Sequence, residues 1–128
     1  MNQHKLKMKL LKGSFGICRL DSNSSIPNWI DYEKFLSITK TDDELSIVCS
    51  EDGIPNNIKC EKNWNVIKVE GPLDFSLIGI LSSISTILSK ENISIFAIST
   101  YDTDYILVKN KDLQKSIDAL NKQGYEFV

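Results

Sequence analysis

The spacing of apolar residues changes period twice in the second half of the chain. Across Asn63–Glu70, Trp64, Val66, Ile67 and Val69 stand among polar residues and the run ends at Gly71-Pro72, a pattern that predicts a strand followed by a breaker. Leu77, Leu81, Ile84 and Leu88 then recur at i, i+4, i+7 and i+11, while Ser82, Ser83, Ser85, Thr86 and Ser89 fill the other face. That is an amphipathic helix within Asp74–Glu91, with Asp74 the candidate N-cap and Asn92 placed to end it in the left-handed conformation. Ile93–Thr100 is rich in β-branched residues and predicts a second strand. Tyr101-Asp102-Thr103 is a tight connection, and Tyr105–Lys109 returns. Asn110 opens a second helix carrying Leu113, Ile117 and Leu120, Gly124 closes it, and Tyr125–Val128 can form a short last strand. The order β-α-β-β-α-β is the split βαβ unit, so the expected class is α+β with a ferredoxin-like module.

The first half repeats this pattern in shortened form. A shift of 60 residues carries Ile38 onto Ile98, Asp42 onto Asp102, Val48 onto Val108 and Asp52 onto Asp112, aligning two acidic hairpins. Between Arg19 and Phe35 there is room for one short helix around Ile26–Tyr32, opened by Pro27, and the second helix shrinks to a turn containing Gly53 and Pro55. The expected organisation is two modules, 1–61 abbreviated and 62–128 complete, with antiparallel sheets side by side. The alternation of Leu6, Met8 and Leu10 with Lys5, Lys7 and Lys9 predicts an edge strand with a lysine face.

Composition narrows the function. A hydrophobic content of 41%, a charged content of 25% and a net charge of −2 describe a globular chain without the concentrated positive field that phosphate binding needs, so no nucleic-acid partner is expected. Apolar runs are too short to span a bilayer and no signal-peptide pattern opens the chain, so no membrane partner is expected. The three cysteines, Cys18, Cys49 and Cys60, match no zinc spacing and no disulfide framework, which points to a reducing cytoplasm.

The candidate chemistry lies in Glu70–Asp104, where a helix start and an acidic hairpin fall close together in sequence. Unpaired N–H groups at a helix start attract a carboxylate. Gly79 lets a ligand or a neighbouring strand approach the first turn. Asp102 and Asp104 can accept from an ammonium or guanidinium group, with Ser99 and Thr100 as neutral partners beside them. From the residues alone, capping and a solvated turn remain the alternative account of Asp74, Gly79, Asp102 and Asp104. A metal site on the acidic turns, Asp42-Asp43-Glu44 included, lacks the dense regular spacing of a calcium loop. Catalysis is not expected either. The only histidine is His4, Ser22, Ser24 and Ser25 have no neighbouring base, and no nucleophile-elbow, P-loop or dinucleotide motif occurs. Trp29, Trp64, Phe35 and Phe96 read as core and interface anchors, and Tyr101, at the turn itself, as a cover for a bound side chain.

The segments GPLDFSLIGIL (Gly71–Leu81) and ISIFAISTYDTDYILV (Ile93–Val108) resemble ACT-domain proteins. They are similar in particular to small bacterial tandem-ACT proteins and to the animal cytosolic arginine sensors of the Castor type. CRLDSNSSIPNW and SITKTDDELSIVCSEDGIP in the first half resemble the same bacterial group. The resemblance implies tandem ACT modules, the first abbreviated, in a non-catalytic regulatory protein that binds an amino acid between a helix N-terminus and a strand-to-strand turn. It places Asp74, Leu77, Ile78, Gly79, Ile80 and Leu81 on the helix side and Thr100, Tyr101 and Asp104 on the turn side. The chain departs from the sensor pattern at Asp74, where that pattern has glycine, and at Leu77, where it has an acidic residue. Expected partners are an amino acid, a second copy in a homodimer and a regulated protein. No cofactor is expected. The competing account is a structural or protein-interaction module that binds no ligand.

Overall fold

The computed structural model describes residues 6–71 and 78–128. In chain order the elements are β1 (Lys7–Leu10), β2 (Phe15–Leu20), β3 (Ser37–Lys40), β4 (Leu45–Ser50), β5 (Cys60–Val69), α1 (Ile80–Lys90), β6 (Ile95–Ser99), β7 (Asp104–Lys109), α2 (Leu113–Lys122) and β8 (Glu126–Phe127). They form two compact units. One is Gly13–Trp64, and the other combines the described residues of Met1–Lys12 with Asn65–Val128.

The Gly13–Trp64 unit is an antiparallel sheet in the order β3-β4-β2-β5, to which β5 contributes its first residues. Its core gathers Cys18, Ile30, Leu45, Ile47, Cys49 and Ile54. Turns occupy residues 21–36, and the helix expected around Ile26–Tyr32 is absent. The sequence around Pro27 is dense in serine and asparagine, which bond their own backbone in preference to helix. Ile30 and Trp29 fasten the loop by packing into the core instead. After β4 the chain makes a single 3-10 turn, Glu51–Gly53, and a Cβ at Gly53 would lie 2.6 Å from the Trp29 carbonyl oxygen. The second helix is thus reduced to a turn pressed against the loop that replaces the first.

In the other unit β5 is flanked by β1 and β7, giving the order β6-β7-β5-β1-β8. Removing β1 leaves the strand order of a ferredoxin-like βαββαβ module. The expected edge position of the first strand is wrong: β1 pairs antiparallel with β5, Met8 opposite Val69, and parallel with β8, Lys7 opposite Glu126. Its lysine face is real, since Lys7 and Lys9 are exposed while Met8 is fully buried. The core packs Ile84 and Leu88 of α1 and Leu120 of α2 against Met8, Ile67, Val69, Ile106 and Val108.

Both helices stop where the sequence signals it. Asn92 has φ 60° and Gly124 φ 95°. Asn92 N–H donates to the Ser89 carbonyl and Ile93 N–H to that of Leu88, and Gly124 and Tyr125 repeat the pattern on Asn121 and Leu120. These are Schellman ends, in which two otherwise orphaned carbonyls are satisfied. The starts differ from expectation. The N-cap of α1 is Gly79, and the proposed cap Asp74 lies outside the described residues. A 3-10 turn, Asn110–Asp112, precedes α2, so Asp112 holds the cap position expected for Asn110.

The two hairpins share one turn device. Thr41 N–H donates to the Glu44 carbonyl at 2.9 Å while the Thr41 hydroxyl accepts the N–H groups of Asp43 and Glu44. Thr100 N–H likewise donates to the Thr103 carbonyl at 2.8 Å, and its hydroxyl accepts the Thr103 N–H. The matching positions, 41 with 100 and 44 with 103, are 59 residues apart. The 60-residue repeat read from the sequence is therefore one residue out of structural register, a slip that exchanges the faces of every strand residue it aligns.

Candidate functional site

The site is built from the exit of β5, the start of α1 and the β6–β7 hairpin, all within the second unit. Beyond the pairing of β7 with β5, a side-chain bond ties the hairpin turn to the exit of β5: the Thr103 hydroxyl donates to the Val69 carbonyl at 2.6 Å, and Thr103 is only 4% exposed. From Val69 the chain leaves the sheet and returns as α1, so the N-terminus of α1 belongs to the same end of the sheet as the hairpin tip.

In the β6–β7 register Ser99 pairs with Asp104, Ala97 with Ile106 and Ile95 with Val108. Ile106, Val108 and Ile95 belong to the core that α1 covers, so alternation puts Ser99 and Asp104 on that helix-covered face, at its open end. The Ser99 hydroxyl donates to Asp104 Oδ1, which fixes a half-buried carboxylate in one orientation.

At the helix start Gly79 has φ 84°, in the left-handed region, and among the described residues no side-chain cap bonds the first turn. The first intrahelical bond runs from Ser83 N–H to the Gly79 carbonyl at 2.8 Å. The N–H groups of Ile80, Leu81 and Ser82 therefore point out of the helix end without an intrahelical acceptor, at the positive end of its dipole. Nothing described lies within 4 Å of a Cβ built on Gly79. The reason for glycine here is the backbone angle; the close packing with a neighbouring strand considered from the sequence is not present among the described residues.

The expected site residues divide clearly. Ser99 and Asp104 are brought together, and Gly79, Ile80 and Leu81 form the helix start. The side chains of Ile80 and Leu81 pack against the core, which leaves them only their backbone N–H groups to offer. Thr100 is committed to the turn, its hydroxyl bonded to both the N–H and the carbonyl of Thr103. Asp102 is exposed at the tip, and Ile78 and Tyr101 are 94% and 81% exposed. Asp74 and Leu77 lie outside the described residues. The sequence reading passed over Thr103 as turn filler. The available signal was a β-branched hydroxyl residue between two aspartates, where a freely solvated turn tip has no use for a buried side chain.

A cavity of about 220 Å³ lies elsewhere, between the C-terminal half of α1 and α2, lined by Ile87, Lys90, Glu91, Lys115, Asp118 and Lys122. It opens at the far end of α1, roughly 15 Å along the axis from the helix start. The other concentration of reactive groups is the cysteine trio of the Gly13–Trp64 unit. Cys18 stands directly opposite Cys60 on paired strands and is hydrogen bonded to Cys49. The bond to Cys49 and burial push the Cys18 thiol up, the same bond holds Cys49 below the usual thiol range, and burial pushes Cys60 up to about 12. Cys18 and Cys60 are thereby kept protonated, and a protonated thiol is neither a nucleophile nor a metal ligand. No group of three or more histidine, cysteine or acidic side chains among the described residues is arranged to hold a metal ion. Trp64 is buried, while Trp29, Phe35 and Phe96 are half-buried, with Phe35 edge-to-face against Phe15 at 6.1 Å. No helix among the described residues is long and apolar enough to cross a membrane.

Comparison with known proteins bears on the family and the fold. A model of the ACT domain matches residues 59–122, and a model described as an N-terminal domain matches residues 13–57. A bovine protein named cytosolic arginine sensor for mTORC1 subunit 1 is 29% identical over 101 residues, which cover 70% of this chain and 31% of that protein. This chain thus spans about a third of that relative. A crystal structure of a protein from Agobacterium tumefaciens superposes with a TM-score of 0.92 at 43% identity, covering 98% of this chain and 94% of that one. Aspartate kinase from Clostridium acetobutylicum shares the fold, with a TM-score of 0.66 at 19% identity over 95% of this chain and 35% of the kinase.

Proposed function

The chain belongs to the ACT-domain family, and on that premise we propose that it is a regulatory amino-acid-binding protein without catalytic activity of its own. The observation that carries the reading is the pairing, at one end of one sheet, of a helix start without a side-chain cap among the described residues and an oriented carboxylate. The ligand's carboxylate binds the N–H groups of Ile80, Leu81 and Ser82, and its cationic end faces Asp104. Ser99 holds that carboxylate in place, and Tyr101 and Ile78 supply exposed apolar surface for the ligand's carbon skeleton. Such opposite charges at the two ends of the site favour a zwitterion over a simple anion or cation.

Occupancy leaves the protein as a change of association, in a homodimer or with a regulated partner, in the cytoplasm. The kinship to proteins named arginine sensors supports the ligand class. A thermal-shift panel of the proteinogenic amino acids tests the reading. At least one is expected to raise the melting temperature in the millimolar range, since a ligand at one hundred times its Kd adds about 2.7 kcal/mol to the folded state. A panel with no stabilising member overturns the ligand site and favours an interaction module.

A further inference from the structure

The cavity between α1 and α2 opens at the opposite end of α1 from the amino-acid site. Its walls carry three lysines, Lys90, Lys115 and Lys122, against two acids, Glu91 and Asp118, over a half-buried floor of Ile87 and Ala119. Lys90 and Lys122 stand in the last turns of their helices, where a cation suits the helix dipole. Lys115 is different. It stands in the first turn of α2, at the positive end of the dipole, where a cation is unfavourable. Helix stability therefore does not account for its position.

Pairing within the protein does not account for it either. Lys115, Asp118 and Lys122 fall at i, i+3 and i+7 on one stripe of α2, a spacing at which Asp118 could pair with either lysine. Asp118 instead accepts from the neutral side-chain amide of Gln114 at 2.9 Å. Among the described residues none of the three ammonium groups makes an ion pair. The carbonyls of Leu88 and Ser89, and of Leu120 and Asn121, are engaged by the Schellman ends, which weakens the negative potential an anion would meet there. We propose that this cleft binds a small dianion, a phosphate monoester on a short carbon chain, held by the ammonium groups of Lys90, Lys115 and Lys122. The proposal goes beyond the amino-acid site and does not depend on it.

The lining selects that chemistry. A lysine ammonium is a compact charge with several donors, suited to phosphate oxygens that point in different directions. A phosphate monoester offers three such oxygens and close to two negative charges at neutral pH, enough to bridge lysines on both helices. The Ile87 and Ala119 floor receives the carbon chain. A volume of about 220 Å³ lies below the range of about 300–1,000 Å³ usual for larger ligands, and no aromatic side chain lines the cleft to stack a base. A nucleotide is therefore excluded. The three lysines are exposed, so binding is weak and sensitive to salt.

Amide NMR of the full chain, titrated at low salt with glycerol 3-phosphate, inorganic phosphate and succinate in turn, tests this. Glycerol 3-phosphate is expected to give saturable shifts at Ile87, Glu91, Ala119 and Gln123 with a millimolar Kd, and the other two anions to bind more weakly. Lys115→Gln is expected to raise that Kd about two- to fivefold, as for one exposed charge pair, with an unchanged melting temperature. Replacing all three lysines by glutamine is expected to abolish saturation, as is salt at about 1 M, where the Debye length falls to about 3 Å. The proposal is overturned if glycerol 3-phosphate gives no saturable shift, or if Lys115→Gln binds it like the wild type. Succinate binding equally well overturns the phosphate class, and inorganic phosphate binding equally well overturns the role of the floor. Shifts centred on Ile80 and Leu81 instead place the anion at the helix start, and also overturn it. The amino-acid panel reads the other end of α1, so failure here and failure of the amino-acid site are distinguishable.

Discussion

Thr103→Val removes the hydroxyl that ties the hairpin turn to the exit of β5 while keeping the side chain's shape. In the wild type that hydroxyl is buried and donates to the Val69 carbonyl at 2.6 Å. The valine methyl cannot donate, and carbon does not approach a carbonyl oxygen that closely, so the turn must also lift by some tenths of an ångström. The Val69 carbonyl loses its hydroxyl donor in a place shielded from water, which costs about 1–3 kcal/mol. For a chain of 128 residues that corresponds to a fall in melting temperature of roughly 4–12 °C. Thr103→Ser provides the control, because it keeps the donor and loses a single methyl group, worth about 0.8 kcal/mol. Differential scanning calorimetry on the three proteins reads the difference directly. If Thr103→Val melts within a degree of the wild type, or Thr103→Ser falls as far as Thr103→Val, the tether does not hold the hairpin and the site loses its anchor.

Asp104→Asn keeps an oxygen to accept from Ser99, so the unliganded protein is expected to melt close to the wild type. Ligand-induced stabilisation should fall by at least tenfold in apparent affinity, consistent with about 2–5 kcal/mol for losing a charged partner. Gly79→Ala should destabilise by about 1–2 kcal/mol through backbone strain at φ 84°, with Gly79→Asn less harmful, as urea titration would report. Alkaline pH should weaken the fold through Cys60. Its folded pKa of about 12 lies above the ordinary thiol value of 9.0, so its contribution is complete below pH 9 and is lost as pH rises towards 12. Urea midpoints of wild type and Cys60→Ser across that window should converge as pH rises.

What the sequence revealed depended on how local the cause was. Asn92 and Gly124 ended their helices as their residue types dictate, because a left-handed C-cap is settled by one residue and its immediate neighbours. The hairpin around Asp102-Thr103 was legible for the same reason. The destination of Lys7–Leu10 was not, since only partners about 60 and 120 residues away place it inside the sheet. The repeat misled by one residue because Asp42 and Asp102 sit in solvated turns, where identity is cheap, while the hydroxyl of Thr41 and Thr100 sets the true register. In the candidate site, Ser99 and Asp104 were named from their chemistry, and the structure joins them by a hydrogen bond. Thr103 was missed because its partner, a backbone carbonyl on β5, leaves no trace in sequence. The start of α1 was obscured by Asp74, whose residue type suits a cap, whereas the cap belongs to a glycine selected for its backbone angle.

The position of β1 bears on the order in which the second unit assembles. Its two neighbours, β5 and β8, lie about 60 and 120 residues further along the chain, so this four-residue strand closes two long loops when it enters the sheet. Pairings of such large sequence separation form slowly, because the loop must close before the contacts are made. A piece cut at the limits of the ACT match, residues 59–122, would keep both helices and the hairpin but lose β1 and β8 together, leaving Ile67–Val69 of β5 without a partner on that side. The strand thus acts in cis like a donated strand, filling the sheet between two elements that are distant from it in sequence.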